Sequence, residues 1–425
     1  MIIRLVALAL LLLARPLFAA DHISVLGKKP DWTAFEKYQE TITHDEFARV
    51  LQDVYCTRGV DAGLIQVEAD HAQFLINRDE QTWFTLRFAA NDAARKKFTT
   101  PWKHAAALPT RRNGSELAGL KIALDPGHIG GRWAKMEERW YQVGDSKPVQ
   151  EGDMTLLVSK LLAPKLRAHG ATVLFVRDKT EPVTSKRPDD LREVARAYLV
   201  RNGTPNPPDD FTGPDDPEKE HSVRWESELL FYRQSEIRAR AEVVNAVVKP
   251  DVVLCLHFNA EAWDDPRTPR LIDRNHLHLL VNGAYSSPEL EFDDVRFEML
   301  ERLLSRVRAE ELPLAERAAA AMAFKTHLPP YEYTTDNVTK LGATGYLYAR
   351  NLIATRLYDC PVVYYEPYVM NSNEVFWRIQ EGDYEGVRNV NGTDRPSIFR
   401  EYADGVLDGL LEYYGRAGVK TDATP

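Results

Sequence analysis

The sequence predicts an α/β protein: a mostly parallel, twisted sheet of about six strands flanked by helices, preceded by a small α+β domain. Three observations predict it. From residue 117 onward, short apolar runs alternate with helical patterns, as strands joined by crossover helices do. Before residue 91 the pattern is one helix followed by three short β-like runs. The 425-residue chain is 44% hydrophobic and 28% charged, enough apolar matter for a sizeable core, and no internal repeat points to a solenoid or propeller.

Taken in order, residues 1–20 read as an export signal. Arg4 precedes a nine-residue apolar run over 5–13, and the small residues Ala19 and Ala20 close the segment. A bilayer-spanning helix needs about 20 apolar residues and no later stretch reaches that length, so the expectation is a cleaved leader and a periplasmic or secreted protein. Phe18 is bulky for a cut after Ala20, which makes a cut after Ala19 an equal alternative. In 21–90, Thr43 and Glu46 have capping-box spacing, and Phe47, Val50, Leu51 and Val54 form one apolar stripe. The β-like runs cover 64–68, 72–76 and 82–88. Residues 91–116, with Arg95, Lys96, Lys97, Lys103, Arg111 and Arg112, read as a solvated linker.

In the α/β region, 117–420, strands are expected over 121–124, 172–176, 252–256, 276–281, 345–349 and 361–365. Helices are expected over 154–166, 237–248, 297–307, 314–324 and 398–414. Two insertions, 180–236 and 286–344, carry amphipathic helix patterns. The proline-rich stretch 204–220 must be an exposed loop, and Pro164 should kink or shorten the helix that follows Glu151.

Charge and cysteines narrow the function classes. Lys and Arg number 54 against 63 Asp and Glu, a net charge of -9, and loss of Arg4 and Arg15 with the leader makes it more negative still. Nucleic acid as partner is thereby argued against, because binding it rests on clustered cations. Cys56, Cys255 and Cys360 are too widely spaced for a zinc ribbon and read as buried thiols, with a disulfide at Cys56 left open.

The residues that carry chemistry follow apolar runs directly, where ligands collect in such sheets. His128 follows KIALDPG, His257 follows VVLCL and Glu366 follows PVVYY. Glu151 opens a helical stretch, where an acid suits the helix dipole, and capping alone would explain it. Two imidazoles and one carboxylate with an open fourth position make a catalytic zinc site. Asp125 and Asn259 flank these residues closely enough to orient them, although Asp125 equally suits the turn at Pro126 and Gly127. Glu137 and Glu138, in a loop with Trp133, Trp140 and Tyr141, compete with Glu151 for the ligand role. His276 and His278 share one strand face, open to a second metal pair, substrate contacts or a polar lining.

The run Asp125-Pro126-Gly127-His128-Ile129-Gly130-Gly131 resembles the DPGHGG motif of the zinc-dependent N-acetylmuramoyl-L-alanine amidases of the bacterial cell wall, with one residue inserted. The resemblance continues in order over most of 117–415: Glu151 at a helix start, the second strand from His169 to Asp178, Arg240 to Asn245, His257-Phe258-Asn259-Ala260, and the strand ending in Glu366. It departs over 367–374, where the family's small residue, glycine and phenylalanine are replaced. The resemblance implies one Zn2+ per chain held by His128, Glu151 and His257, a zinc-bound water as nucleophile and Glu366 as general acid/base. It implies cleavage between N-acetylmuramic acid and L-alanine of peptidoglycan or a muropeptide. Some family members gate their zinc with an inserted helix until an activator protein removes it, and 226–232 is the candidate for such a gate here. Two other readings stay open: a zinc hydrolase of a different peptide amide, and an inactive wall-binding or activator protein with this fold.

Overall fold

A computed structural model describes residues 22–60, 62–109, 114–263 and 270–415; the leader expected over 1–20 lies outside the described residues. Among the described residues no helix is long and apolar enough to cross a membrane. Thr43 caps α1 (His44–Val50) by accepting from the Glu46 N–H at 3.4 Å, and the helix continues as a wider π turn over Leu51–Tyr55. Three short strands follow as an antiparallel meander, β1 (Ile65–Val67), β2 (His71–Asn77) and β3 (Thr82–Arg87), with Phe74 opposite both Ile65 and Phe84.

The main sheet has seven strands: β4 (Lys121–Pro126), β5 (Thr172–Phe175), β6 (Val252–Leu256), β7 (Leu277–Val281), β8 (Thr339–Leu341), β9 (Leu347–Ala349) and β10 (Val362–Pro367). Their order is β8-β9-β7-β10-β6-β4-β5. Neighbours run parallel except where β10 meets β7 and β8 meets β9. β6 and β7 are buried at every position, which suits strands covered on both faces, apolar throughout in β6 and apolar except for His278 in β7. The strand beyond the expected six is β8, an edge strand too short for its pattern to be read.

α2 (Glu151–Ala168) joins β4 to β5, and a helical segment over 223–248 leads into β6. In that segment α-helical Val223–Leu229 and Glu236–Glu242 alternate with π turns Leu230–Ser235 and Val243–Val248. The second insertion holds α3 (Asp293–Leu304) and α4 (Arg308–Thr326), and α5 (Ile398–Tyr414) packs against both α2 and α4. Pro164 does not shorten α2: Leu162, Ala163 and Leu166 around it are fully buried, and that packing carries the helix through. The loop over 204–220 has no helix or strand beyond a short 3-10 turn at Lys219–His221.

The N-terminal elements share one continuous buried cluster with the main sheet and its helices. Phe35 stacks on Phe297 of α3 at 4.5 Å and 4°, and Ala284 and Tyr285 donate backbone N–H groups to Val54 and Tyr55. The linker expected over 91–116 is tied down as well: Trp102 and Ala105 are buried, and Lys103 and Ala105 give their N–H groups to Asp251 and Glu310. Among its described cations, Lys96, Lys97 and Lys103 are exposed and Arg95 pairs with Glu46. All three cysteines are free and buried, so no disulfide forms at Cys56, whose sulfur lies 3.7 Å from that of Met299. Phe35→Ala, emptying a fully buried site at this junction, should cost about 3–5 kcal/mol in denaturant unfolding monitored by tryptophan fluorescence.

Candidate metal centre

From β4 the chain crosses through α2 to β5 on one side and then returns to β6 on the other side of β4. Such a reversal opens a crevice beyond the carboxyl ends of the two strands at the switch point, β4 and β6. His128 lies just past β4 and His257 just past β6, so both imidazoles reach this crevice. Glu151, the first residue of α2, completes the group: ligand atoms of His128, Glu151 and His257 all lie within 4.8 Å of one another.

The distances within the group are close to those of a coordination sphere. Glu151 Oε2 is 3.2 Å from His128 Nε2, and Glu151 Oε1 is 3.1 Å from His257 Nδ1. A tetrahedral zinc with bonds of about 2.0–2.2 Å separates its donors by roughly 3.3–3.6 Å, so a carboxylate this near two imidazoles has the donor chemistry and approximate spacing that ion takes. Glu151 is 2% exposed. Burial opposes its charge, but His128, His257 and Arg139 outweigh burial and hold the carboxyl at about 2. Burial, reinforced by Arg139 and His257 against the pull of Glu151, holds the His128 imidazole well below its usual range.

The turn that presents His128 is held from several sides. His128 has φ +55°, uncommon for a residue with a side chain. Arg240, 1% exposed, donates to the carbonyls of Pro126 and His128 at 2.8 Å each while pairing with Asp125 and Glu236, also at 2.8 Å. Arg177 donates to the carbonyls of Pro126, Gly127 and Gly152, and Thr155 Oγ1 donates to that of Gly127. The buried Glu137 accepts from the N–H groups of Ile129 and Gly130 and stands 3.6 Å from His128 Nδ1, placed to orient the ring. Two glycines permit the close approach: a Cβ at Gly127 would lie 2.2 Å from the His257 ring, and one at Gly152 would lie 2.3 Å from the backbone nitrogen of Gly130.

Glu366, in β10 next to β6, lines the same cavity of about 550 Å³ as the three donors. Burial and the charge of Glu151 raise its carboxyl well above the usual range, against Arg139 and Arg350. Tyr364, two residues earlier, stacks on His257 at 4.3 Å and 15° and sets the plane of that imidazole. Tyr232, Arg233, Glu236 and Ile237 of the helical segment form another wall.

The four principal sequence candidates, His128, Glu151, His257 and Glu366, thus come together. The others have different partners. Asp125 accepts from Arg240 and from Tyr358 OH at 2.5 Å instead of touching a ligand imidazole. Asn259 accepts from the Ala260 N–H at 2.7 Å and braces its own loop. Glu137 serves backbone amides and Glu138 pairs with Lys219, so neither replaces Glu151. His276 bonds Glu261 and His278 bonds Tyr333, both at 2.9 Å, and they form no metal group among the described residues. The suggested gate, 226–232, is built into the wall: Leu230, Phe231 and Tyr232 pack in one cluster with Ile129 and Trp133 of the His128 loop. Sequence reasoning missed Arg139, whose Nε lies 3.3 Å from both His128 Nε2 and Glu151 Oε2. It lies in the loop already singled out for its aromatic and acidic residues, but no spacing rule marks it.

No known family profile and no curated protein matches the chain. Solved structures of similar shape include the N-acetylmuramyl-L-alanine amidase Ami1 of Mycobacterium abscessus, 16% identical, covering 70% of this chain and 99% of its own, with a TM-score of 0.37. The amidase AmiC2 of Nostoc punctiforme is 15% identical over 70% of this chain and 98% of its own, at 0.35. CwlD of Clostridioides difficile, solved in complex with the GerS lipoprotein, is 10% identical over 69% and 98%, at 0.37. At scores below 0.5 the likeness carries no argument about function, which rests on the geometry of the site.

Gly127→Ala should fold and yet lose zinc affinity by an order of magnitude or more, because the new methyl displaces the His257 ring. Elemental analysis and circular dichroism on the same sample check both halves of that expectation.

Proposed function

We propose that the protein is an exported zinc hydrolase that cleaves the amide between N-acetylmuramic acid and L-alanine in peptidoglycan or its fragments. The observation that carries the reading is the convergence of His128, Glu151 and His257 on one point, with Glu366 lining the same cavity. The choice of bond is supported by the resemblance of 125–131 and 256–260 to the wall-amidase motifs, and the export by the leader-like 1–20. A zinc ion held there would polarise the amide carbonyl and lower the pKa of a water from about 15.7 towards about 7.

The chain's own residues supply the rest. The His128 ring stands beside Glu137, and the His257 ring is held against Tyr364. Glu151 contributes the charge. Its Oε1 also accepts from the Phe258 N–H at 3.1 Å, which ties the start of α2 to the end of β6. Glu366, with its raised proton affinity, takes a proton from the attacking water and returns it to the departing amine nitrogen. No thiol competes for the nucleophile's role. Cys255 is buried, with its thiol pushed well up by burial and by Asp125.

Digestion of purified sacculi tests the reading. Released stem peptides should carry a free L-alanine amino terminus and leave the glycan intact; peptides cut at another bond would replace this activity by a different amide hydrolysis. Glu366→Gln should retain zinc and lose about 100 to 10,000-fold in turnover. Wild-type turnover in that variant would remove Glu366 from the mechanism.

A further inference from the structure

One cation already stands at this centre, and it belongs to the chain. Arg139 Nε lies 3.3 Å from His128 Nε2 and 3.3 Å from Glu151 Oε2, two atoms that are themselves 3.2 Å apart. The backbone of Arg139 is fixed there, because its carbonyl accepts the Glu151 N–H at 3.2 Å. Its side chain, 39% exposed, retains room to move. Glu151 is almost fully buried, and a buried carboxylate is costly without a cation beside it, so this pair stabilises the donor set. A divalent ion on the same two atoms would face the guanidinium at close range, and like charges at that distance repel strongly in a partly buried site.

We propose that Arg139 is a built-in competitor for the metal: guanidinium and ion claim the same atoms of His128 and Glu151, and loading requires Arg139 to turn away from them. The inference rests on the zinc reading of this site. A destination for it stands in the same cavity, which Arg139 and Glu366 both line. Arg139 is therefore a positioning residue with two alternatives, one that keeps the metal-free donors together and one that faces the carboxylate opposite them. Affinity for zinc is lower than three such donors would otherwise provide.

The test is the dissociation constant for Zn2+, measured on the full chain by competition with a chromophoric chelator, for the wild type, Arg139→Met and Arg139→Lys. Arg139→Met should bind zinc at least about tenfold more tightly than wild type. Arg139→Lys, which keeps the charge, should stay near wild type. Without metal, Arg139→Met should melt at a lower temperature, since the buried Glu151 then loses its guanidinium partner, and added zinc should raise its melting temperature more than that of wild type. Equal or weaker zinc binding by Arg139→Met, with the wild type binding normally, overturns the competitor and leaves the metal centre standing. Failure of the wild type itself to take up zinc overturns both.

Discussion

The buried guanidinium of Arg240 is the interaction on which the site depends. It binds two carboxylates, Asp125 and Glu236, and two carbonyls, Pro126 and His128, all at 2.8 Å. A charge 1% exposed is tolerated only with its hydrogen-bonding capacity met, and Asp125 and Glu236 keep Arg240 charged against the effect of burial. The same four contacts join the end of β4, the left-handed turn at His128 and the helical segment that walls the cavity. Without them the turn would have little reason to keep His128 at positive φ, and the first donor would lose its aim.

The second constraint is topological. Because the chain reverses its winding between β4 and β6, three separate segments can bring side chains to one point without long loops: the ends of two neighbouring strands and the start of the helix between β4 and β5. Glu366 arrives on the next strand, where β10 pairs in parallel with β6. The carboxylate is thus set by sheet register, two residues beyond the Tyr364 that stacks on His257.

What was legible in the sequence was whatever rested on apolar continuity. The strand 252–256 and the helix 398–414 have the bounds expected of them, because their runs are buried throughout or amphipathic throughout. His257 and Glu366 were legible for the same reason, each following such a run directly, and His128 follows one after the turn Asp125-Pro126-Gly127. The helical segment over 223–248 was only half legible, since Glu228, Glu236 and Arg240 are buried charges on its inner face and break the apolar pattern. The π turns inside it, and Pro164 within α2, are decisions of tertiary packing that local rules do not reach. Arg139 and Arg350 were illegible because a loop and a short strand aim them, not a period. Asp125, expected to orient a ligand, pairs with Arg240 and Tyr358 instead, and Glu137, read as an alternative ligand, accepts the backbone N–H groups of Ile129 and Gly130.

The N-terminal unit has no residue lining the cavity, yet it bears on the strand that carries Glu366. Phe35 and Trp32 pack on Phe297 of α3, and Tyr38 OH donates to Glu301 of the same helix at 2.7 Å. The next residue, Arg302, is buried and donates to the carbonyls of Tyr358 and Cys360 at 2.6 and 2.8 Å, just before β10 begins. Arg302 also pairs with Glu311, which in turn accepts the N–H of Val362, the first residue of β10. Tyr358 then reaches forward with its hydroxyl to Asp125. The route from Phe35 to Glu366 is therefore one of continuous packing and hydrogen bonds, every charged group on it paired. A unit placed there packs against the helix that anchors the chain where β10 enters the sheet, the strand that carries Glu366.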